Sequence, residues 1–188
     1  CVVDASGDGQ VAYLAGADYA RGREGADVYG ERSAPAQGDE TTLGTSITAL
    51  VRKADRPVPF TPPPDTPPWE PGYGLGGYDA QGSCLYAHSA WHPDADQCFL
   101  WHTESGGERD TIGDEHAIYE ELLKQLYCVW DHIKNGAHAD EARNWELVWV
   151  SPKAGRRESR RFLGDYVLTQ TDVEAGRWFE DAVAYGGY

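Results

Sequence analysis

Eight of the eleven prolines in this 188-residue chain lie in residues 57–71. Proline fixes φ and lacks an N–H donor, so such a segment cannot be a central strand or a helix interior. We therefore predict either a stiff surface connector or a loop over a site. The GYGLGG run at 72–77 matches GxGxxG by letter, but that fingerprint requires a strand before it and a helix after it. Neither flank fits, which indicates a glycine-rich loop.

The clearest regular element is a helix near residues 114–135, where apolar residues recur at helical spacing and Asp114 can serve as the N-cap. Runs of apolar and β-branched residues predict strands at residues 2–5, 41–53, 98–102 and 145–150. Alternation in the last of these places Trp145, Leu147 and Trp149 on one face.

Two shorter helices complete the secondary-structure prediction. Residues 10–17 follow a glycine turn and predict a short helix. Near the C-terminus, Thr171 and Glu174 have the spacing of a capping box for a last short helix. Because strands and helices alternate irregularly, the predicted fold class is α+β (mixed α/β).

Composition excludes several kinds of partner. The chain carries 31 acidic and 16 basic residues, a formal net charge of −15, which argues against nucleic acid. It has no apolar run near 18 residues, which argues against a membrane span. Its cysteines lack CxxC and its histidines lack HExxH, so no metal site is predicted. A disulfide between Cys84 and Cys98 is compatible with the sequence but not required by it.

The stretch VVDASGDGQVAYLAG, residues 2–16, predicts a strand, a glycine turn and a helix. Gly7 and Gly9 permit positive φ and close approach of a ligand to the backbone. Backbone N–H groups at a helix start can meet phosphate, and the Asp8 carboxylate can accept hydrogen bonds from ribose or ribityl hydroxyls. The alternative is a strand-to-helix turn without a ligand. We assign Ser6, Gly7, Asp8 and Gly9 as candidate cofactor-binding residues.

Three stretches, in the same order along the chain, resemble one protein family. DASGDGQVAYLAGA at 4–17 resembles its cofactor turn, and GERDTIGDEHAIYEELLKQLYCVWDHIKN at 107–135 resembles a helical segment. RRESRRFLGDYVLTQTDVEAGRWFEDAVAYGG at 156–187 resembles its most distinctive stretch. The family is the bacterial FAD-dependent oxidoreductase group, with the glutathione-reductase type of flavin fold; some members are labelled xanthan-lyase-like.

The resemblance implies FAD as the cofactor. It implies an enzyme that moves a hydride or an electron pair between FAD and an unidentified organic substrate. Residues 1–40 would then be a portion of an FAD-binding domain. Residues 41–155 would form an inserted, mainly β, substrate-facing region, and residues 156–188 would return toward the FAD-binding domain.

The resemblance also implies a central fragment of such a protein, because the family's upstream GxGxxG and downstream flavin segment are not found in the sequence. We expect the isolated fragment to be inactive. Its expected partners are the flanking segments, a small-molecule or carbohydrate-like substrate, and other copies of itself. Seven Trp and eleven Tyr support an alternative, a non-catalytic carbohydrate-binding or interaction module.

Four arginines form a basic cluster in this acidic chain: Arg156, Arg157, Arg160 and Arg161. Arginine recognises carboxylate and phosphate through two parallel hydrogen bonds, so one of these residues could hold an anionic substrate or stabilise reduced, anionic flavin. The alternative is pairing with neighbouring Glu158 and Asp165. We assign Arg157 as a candidate cofactor contact, and Arg160 together with Tyr185 as candidate catalytic residues.

Overall fold

The computed structural model describes residues 2–69, 91–184 and 186. The chain divides into two units. We call Cys1–Thr42 with Glu158–Tyr188 the turn unit, and Leu43–Arg157 the sheet unit. The interpretations of GYGLGG, Cys84 and Tyr185 fall outside the described residues and stay predictions. Among the helices that are described, none is long and apolar enough to cross a membrane.

The described part of the chain is mixed α+β. Its helices are α1 (Gln10–Leu14), α2 (Ala26–Tyr29), α3 (Glu115–Asn135) and α4 (Gln170–Glu174). Its strands are β1 (Tyr19–Ala20), β2 (Thr45–Lys53), β3 (Gln97–Ser105), β4 (Trp145–Val150) and β5 (Arg161–Phe162). In the turn unit β1 pairs with β5, and in the sheet unit the strand order is β3-β2-β4; all pairs are antiparallel. Antiparallel sheets with one long helix confirm the predicted fold class.

The core of the sheet unit lies between β2 and α3. Alternate residues of β2 point into it, and Ile47, Ala49 and Val51 are fully buried there. The predicted apolar stripe of α3 supplies the other side through residues such as Ile118 and Leu122, also fully buried. Each such Ile or Leu contributes roughly 1.5–3 kcal/mol on burial, so this layer dominates the stability of the unit.

Strand β4 has the predicted bounds but not the predicted face. Trp145 is fully buried, whereas Trp149 is 45% exposed. The register explains the difference, because Val51 lies opposite Leu147 while Leu50 lies opposite Trp149. Val148 is therefore an extra residue, and such a bulge inverts the alternation of side chains beyond it.

One predicted helix cap has the predicted position and the other does not. Asp114 occupies the N-cap position of α3, but its side chain makes no capping hydrogen bond. The capping box of α4 is formed by Thr169 and Asp172, two residues before the predicted pair of Thr171 and Glu174. Asp172 Oδ2 also accepts a hydrogen bond from a tyrosine hydroxyl at 2.7 Å, which helps to fix the earlier start.

The predicted strand at residues 2–5 does not form. Val2 and Val3 are 81% and 83% exposed, and no described strand pairs with them. Two apolar residues without a hydrogen-bonded neighbour gain nothing from an extended ladder. The predicted helix at residues 10–17 is shorter than expected, because α1 ends at Leu14 and Gly16 has a φ of +79°.

The described part of the proline segment is neither helix nor strand, as predicted, and it packs against α3. Asn135 Nδ2 donates a hydrogen bond to the Phe60 carbonyl at 3.1 Å. The Phe60 ring lies 6.3 Å from Trp130, and Trp69 stacks on His132 with ring centroids 4.2 Å apart. These contacts fix the segment along one side of the helix.

Candidate functional site

The glycine turn is closed at its base by a carboxylate. Asp4 Oδ1 accepts hydrogen bonds from the Ser6 backbone N–H at 3.0 Å and from the Ser6 hydroxyl at 2.6 Å. Asp4 Oδ2 accepts from the Ala12 N–H at 2.9 Å, which joins the residues before the turn to α1. The Ser6 hydroxyl, followed by these backbone donors, lowers the pKa of Asp4 to about 2. Asp4 is therefore ionised at neutral pH and fully used in shaping the turn.

The two glycines of the turn have different roles. Both have positive φ, +86° at Gly7 and +63° at Gly9. A Cβ at Gly9 would lie 2.0 Å from the Phe162 ring, so this glycine allows the turn to contact β5. A Cβ at Gly7 would meet no atom within 4 Å, which leaves open space beside the backbone where a ligand can approach.

A segment far along the chain forms the second side of the site. The buried Ser159 hydroxyl donates to Asp8 Oδ1 at 2.9 Å. Arg160 Nη1 donates to the Asp8 carbonyl at 3.2 Å and to Gln10 Oε1 at 3.3 Å. These contacts bring the sequence-predicted residues Asp8 and Arg160 together across more than 150 positions.

Aromatic rings pack against the Arg160 side chain. Its guanidinium carbon lies 3.9 Å from the centroid of the Tyr13 ring, close enough for a cation–π contact. Tyr13 packs on Tyr19 at 5.8 Å, and Tyr19 packs on Phe162 at 5.9 Å. The row of rings fixes Arg160 beside the turn.

An open groove of about 580 Å³ lies beside the turn. It is lined by Asp4, Ala5, Gly7, Gly9, Ala12, Arg160 and Phe162. Three sequence-predicted site residues, Gly7, Gly9 and Arg160, thus line the same groove. Most of the lining residues are small or apolar, and the charged ones are Asp4 and Arg160. Within the lining, Arg160 is the only cation, and the carboxylate of Asp4 is occupied by internal hydrogen bonds.

Asp4 and Ser159 are among the site-shaping residues that sequence reasoning missed. Asp4 had a local signal, because an aspartate that accepts from the backbone N–H two residues later forms a common turn. Ser159 had none, because its partner Asp8 is 151 positions away.

Arg157 and Tyr185 are the predicted site residues not considered so far. Arg157 belongs to the sheet unit, where Nη1 is 3.7 Å from Glu104 Oε1. Tyr185 is outside the described residues. As for metals, no three His, Cys, Asp or Glu side chains in the described ranges are grouped to hold an ion.

The described α+β fold is consistent with an FAD-binding-type domain. The model of the FAD dependent oxidoreductase family matches residues 1–188, and the chain belongs to that family. The family uses FAD, so FAD is the cofactor and oxidoreduction is the class of reaction. The match gives no support to a carbohydrate-binding module. No curated protein and no solved structure matches the chain significantly.

Proposed function

We propose that the protein moves a hydride or an electron pair between FAD and an organic substrate, and that the turn unit supplies part of its flavin site. FAD provides the redox chemistry when bound, and the chain binds it, orients it and sets the charge around it. The observation that carries the proposal is the groove, where a glycine turn with open space at its backbone meets a fixed cation.

The residues of the turn fit this role. The backbone of Ser6–Gly9 can contact a ligand closely, because Gly7 has no side chain and faces open space. The Asp8 carboxylate, oriented by Ser159, can accept hydrogen bonds from hydroxyls of the flavin side chain. Arg157 and Tyr185 stay candidates for a cofactor contact and a substrate contact.

The subtype of the flavin fold, the source of the protein and its relation to a longer chain belong to the same proposal. We propose a flavin fold of the glutathione-reductase type, a bacterial source, and residues 1–188 as the central portion of a longer flavoprotein. The three family-like stretches support this, and so does the openness of the groove, which leaves room for further segments to complete the flavin site.

Replacing Gly7 with Val should remove FAD from the complete protein while leaving it folded. The new side chain would project into the groove rather than into neighbouring atoms. We expect the Kd for FAD, from titration of the apoprotein, to rise at least about tenfold, the equivalent of about 1.4 kcal/mol. Flavin content after gel filtration, read from the visible absorbance, should fall with it.

The matched control is Gly16→Val. Gly16 has a similar φ of +79° and also faces open space, but it does not line the groove. It should suffer the same backbone strain and retain FAD. Equal flavin content in the two variants would contradict the assignment of the turn.

The isolated 188-residue chain should hold no FAD. A few hydrogen bonds at one turn contribute about 0.5–1.5 kcal/mol each, whereas association alone costs at least about 4 kcal/mol. Titration of FAD into the chain, followed by quenching of flavin fluorescence, should show no binding at micromolar concentration. Exposed apolar side chains such as Leu14 and Trp178 should also promote self-association at high concentration. Micromolar binding would mean that the chain contains a complete flavin site.

A further inference from the structure

One arginine of the basic cluster differs from the other three in its partners. Arg156, Arg157 and Arg161 lie 2.9, 3.7 and 2.6 Å from carboxylate oxygens of Glu115, Glu104 and Glu24. Arg160 forms no ion pair with any described residue, although the chain has 31 acidic residues against 16 basic ones. The cation without a carboxylate partner is also the one that lines the groove.

The position of Arg160 is fixed even though its charge is not paired. Nη1 is held by the Asp8 carbonyl and Gln10 Oε1, and the guanidinium plane rests against Tyr13. These partners are neutral, so they orient the side chain without cancelling its charge. No described residue accepts a hydrogen bond from Arg160 Nη2 or Nε. These two nitrogens form one edge of the planar guanidinium, and this edge can donate to a ligand.

The other residues that line the groove limit which ligands Arg160 could bind there. Ala5, Ala12 and Phe162 present an apolar wall, and the nearby Asp4 carboxylate already accepts three hydrogen bonds. A diphosphate carries at least two charges and requires several donors. One guanidinium edge beside an apolar wall suits a planar group that carries a single delocalised negative charge.

We propose that Arg160 binds such a planar anion in this groove, and that the anion is either the ring system of FAD once it is reduced or the carboxylate of the organic substrate. The proposal rests on the proposed function, because both sources require a flavin enzyme. Arg160 is then a residue that contacts cofactor or substrate, with Tyr13 and Gln10 as its positioning residues.

The test uses the complete flavoprotein with Arg160→Met, which keeps much of the length and removes the charge, and Arg160→Lys, which keeps the charge without the fork. If the ring system is the source, Arg160→Met should lower the preference for reduced flavin about tenfold, a fall of about 30 mV in midpoint potential. Arg160→Lys should recover part of it. The Kd for benzoate, followed by the flavin absorbance spectrum, should not change.

If a substrate carboxylate is the source, Arg160→Met should raise the benzoate Kd at least tenfold at an unchanged potential. Arg32→Met, at an exposed arginine paired with Glu174, is the control that should alter neither quantity. Unchanged potential and unchanged or undetectable benzoate binding would overturn the proposal. So would a loss of FAD affinity alone, which would place the diphosphate at Arg160. A wild-type protein without FAD would instead refute the proposed function.

Discussion

Gly9→Val should weaken FAD binding by the complete protein at least about 30-fold, the equivalent of about 2 kcal/mol. Two costs add at this position. A φ of +63° disfavours any residue with a Cβ by roughly 1–2 kcal/mol. The Phe162 ring, 2.0 Å from the new Cβ, must also move away, and it would lose its packing against Tyr19 and its place in the groove wall. FAD titration of the apoprotein and thermal unfolding measure the two effects.

Two further variants separate the ring contact from backbone strain. Gly30→Val places the same side chain at a φ of +68° with no atom within 4 Å, and should leave FAD affinity unchanged. Adding Phe162→Ala to Gly9→Val removes the clashing ring and should restore thermal stability in part. If Gly30→Val weakened FAD binding as much as Gly9→Val, the contact between the turn and β5 would not be what matters.

Elements set by local pattern could be predicted from the sequence. The bounds of β4 are as predicted, and α3 begins within one residue of the prediction, because apolar spacing along a single segment determines both. The orientation of Trp149 could not be predicted, since the bulge at Val148 depends on how β4 pairs with β2. For the same reason residues 2–5 were wrongly predicted as a strand, because strand formation depends on a partner.

The candidate site shows the same division between local and long-range information. Ser6, Gly7, Asp8 and Gly9 stood out because turn chemistry is local. The choice of Arg160 as the groove cation depends on where four neighbouring arginines find carboxylates, which only the tertiary structure reveals.

The predicted division of the chain into segments stays a prediction. The predicted boundaries follow residues 40 and 155, and the chain passes from one structural unit to the other after Thr42 and after Arg157. The second boundary lies beside the family-like stretch at 156–187, whereas the first lies well after the stretch at 4–17. The functions given to the segments stay predictions, because a boundary does not report what either side binds.

Lys134→Met should lower the free energy of unfolding of the sheet unit by about 3 kcal/mol, because hydrogen bonds from a charged donor contribute about 1.5–3 kcal/mol each. Lys134 is 5% exposed at the end of α3, and Nζ donates to the carbonyls of Ala142 and Arg143 at 2.6 and 2.7 Å. The Arg143 carbonyl also accepts from Val58 at 3.1 Å, so the ammonium joins α3 to the segment that contacts the proline run. Urea unfolding of the 188-residue chain, followed by tryptophan fluorescence, measures the loss.

Lys124→Met is the matched control, since Lys124 lies on the same helix, is exposed, and pairs with Asp65 at 3.2 Å. Such a pair contributes about 0–1 kcal/mol, so this variant should change stability little. Lys134 should also contribute to the pH dependence of stability. Burial lowers the pKa of Lys134 from its ordinary 10.5, so between that lowered value and 10.5 the unfolded chain binds more protons than the folded one. Wild-type stability therefore gains from this group as pH rises through that window, and Lys134→Met should lack the gain. Equal stability of the two variants at pH 7 would show that the Lys134 hydrogen bonds do not hold the end of α3.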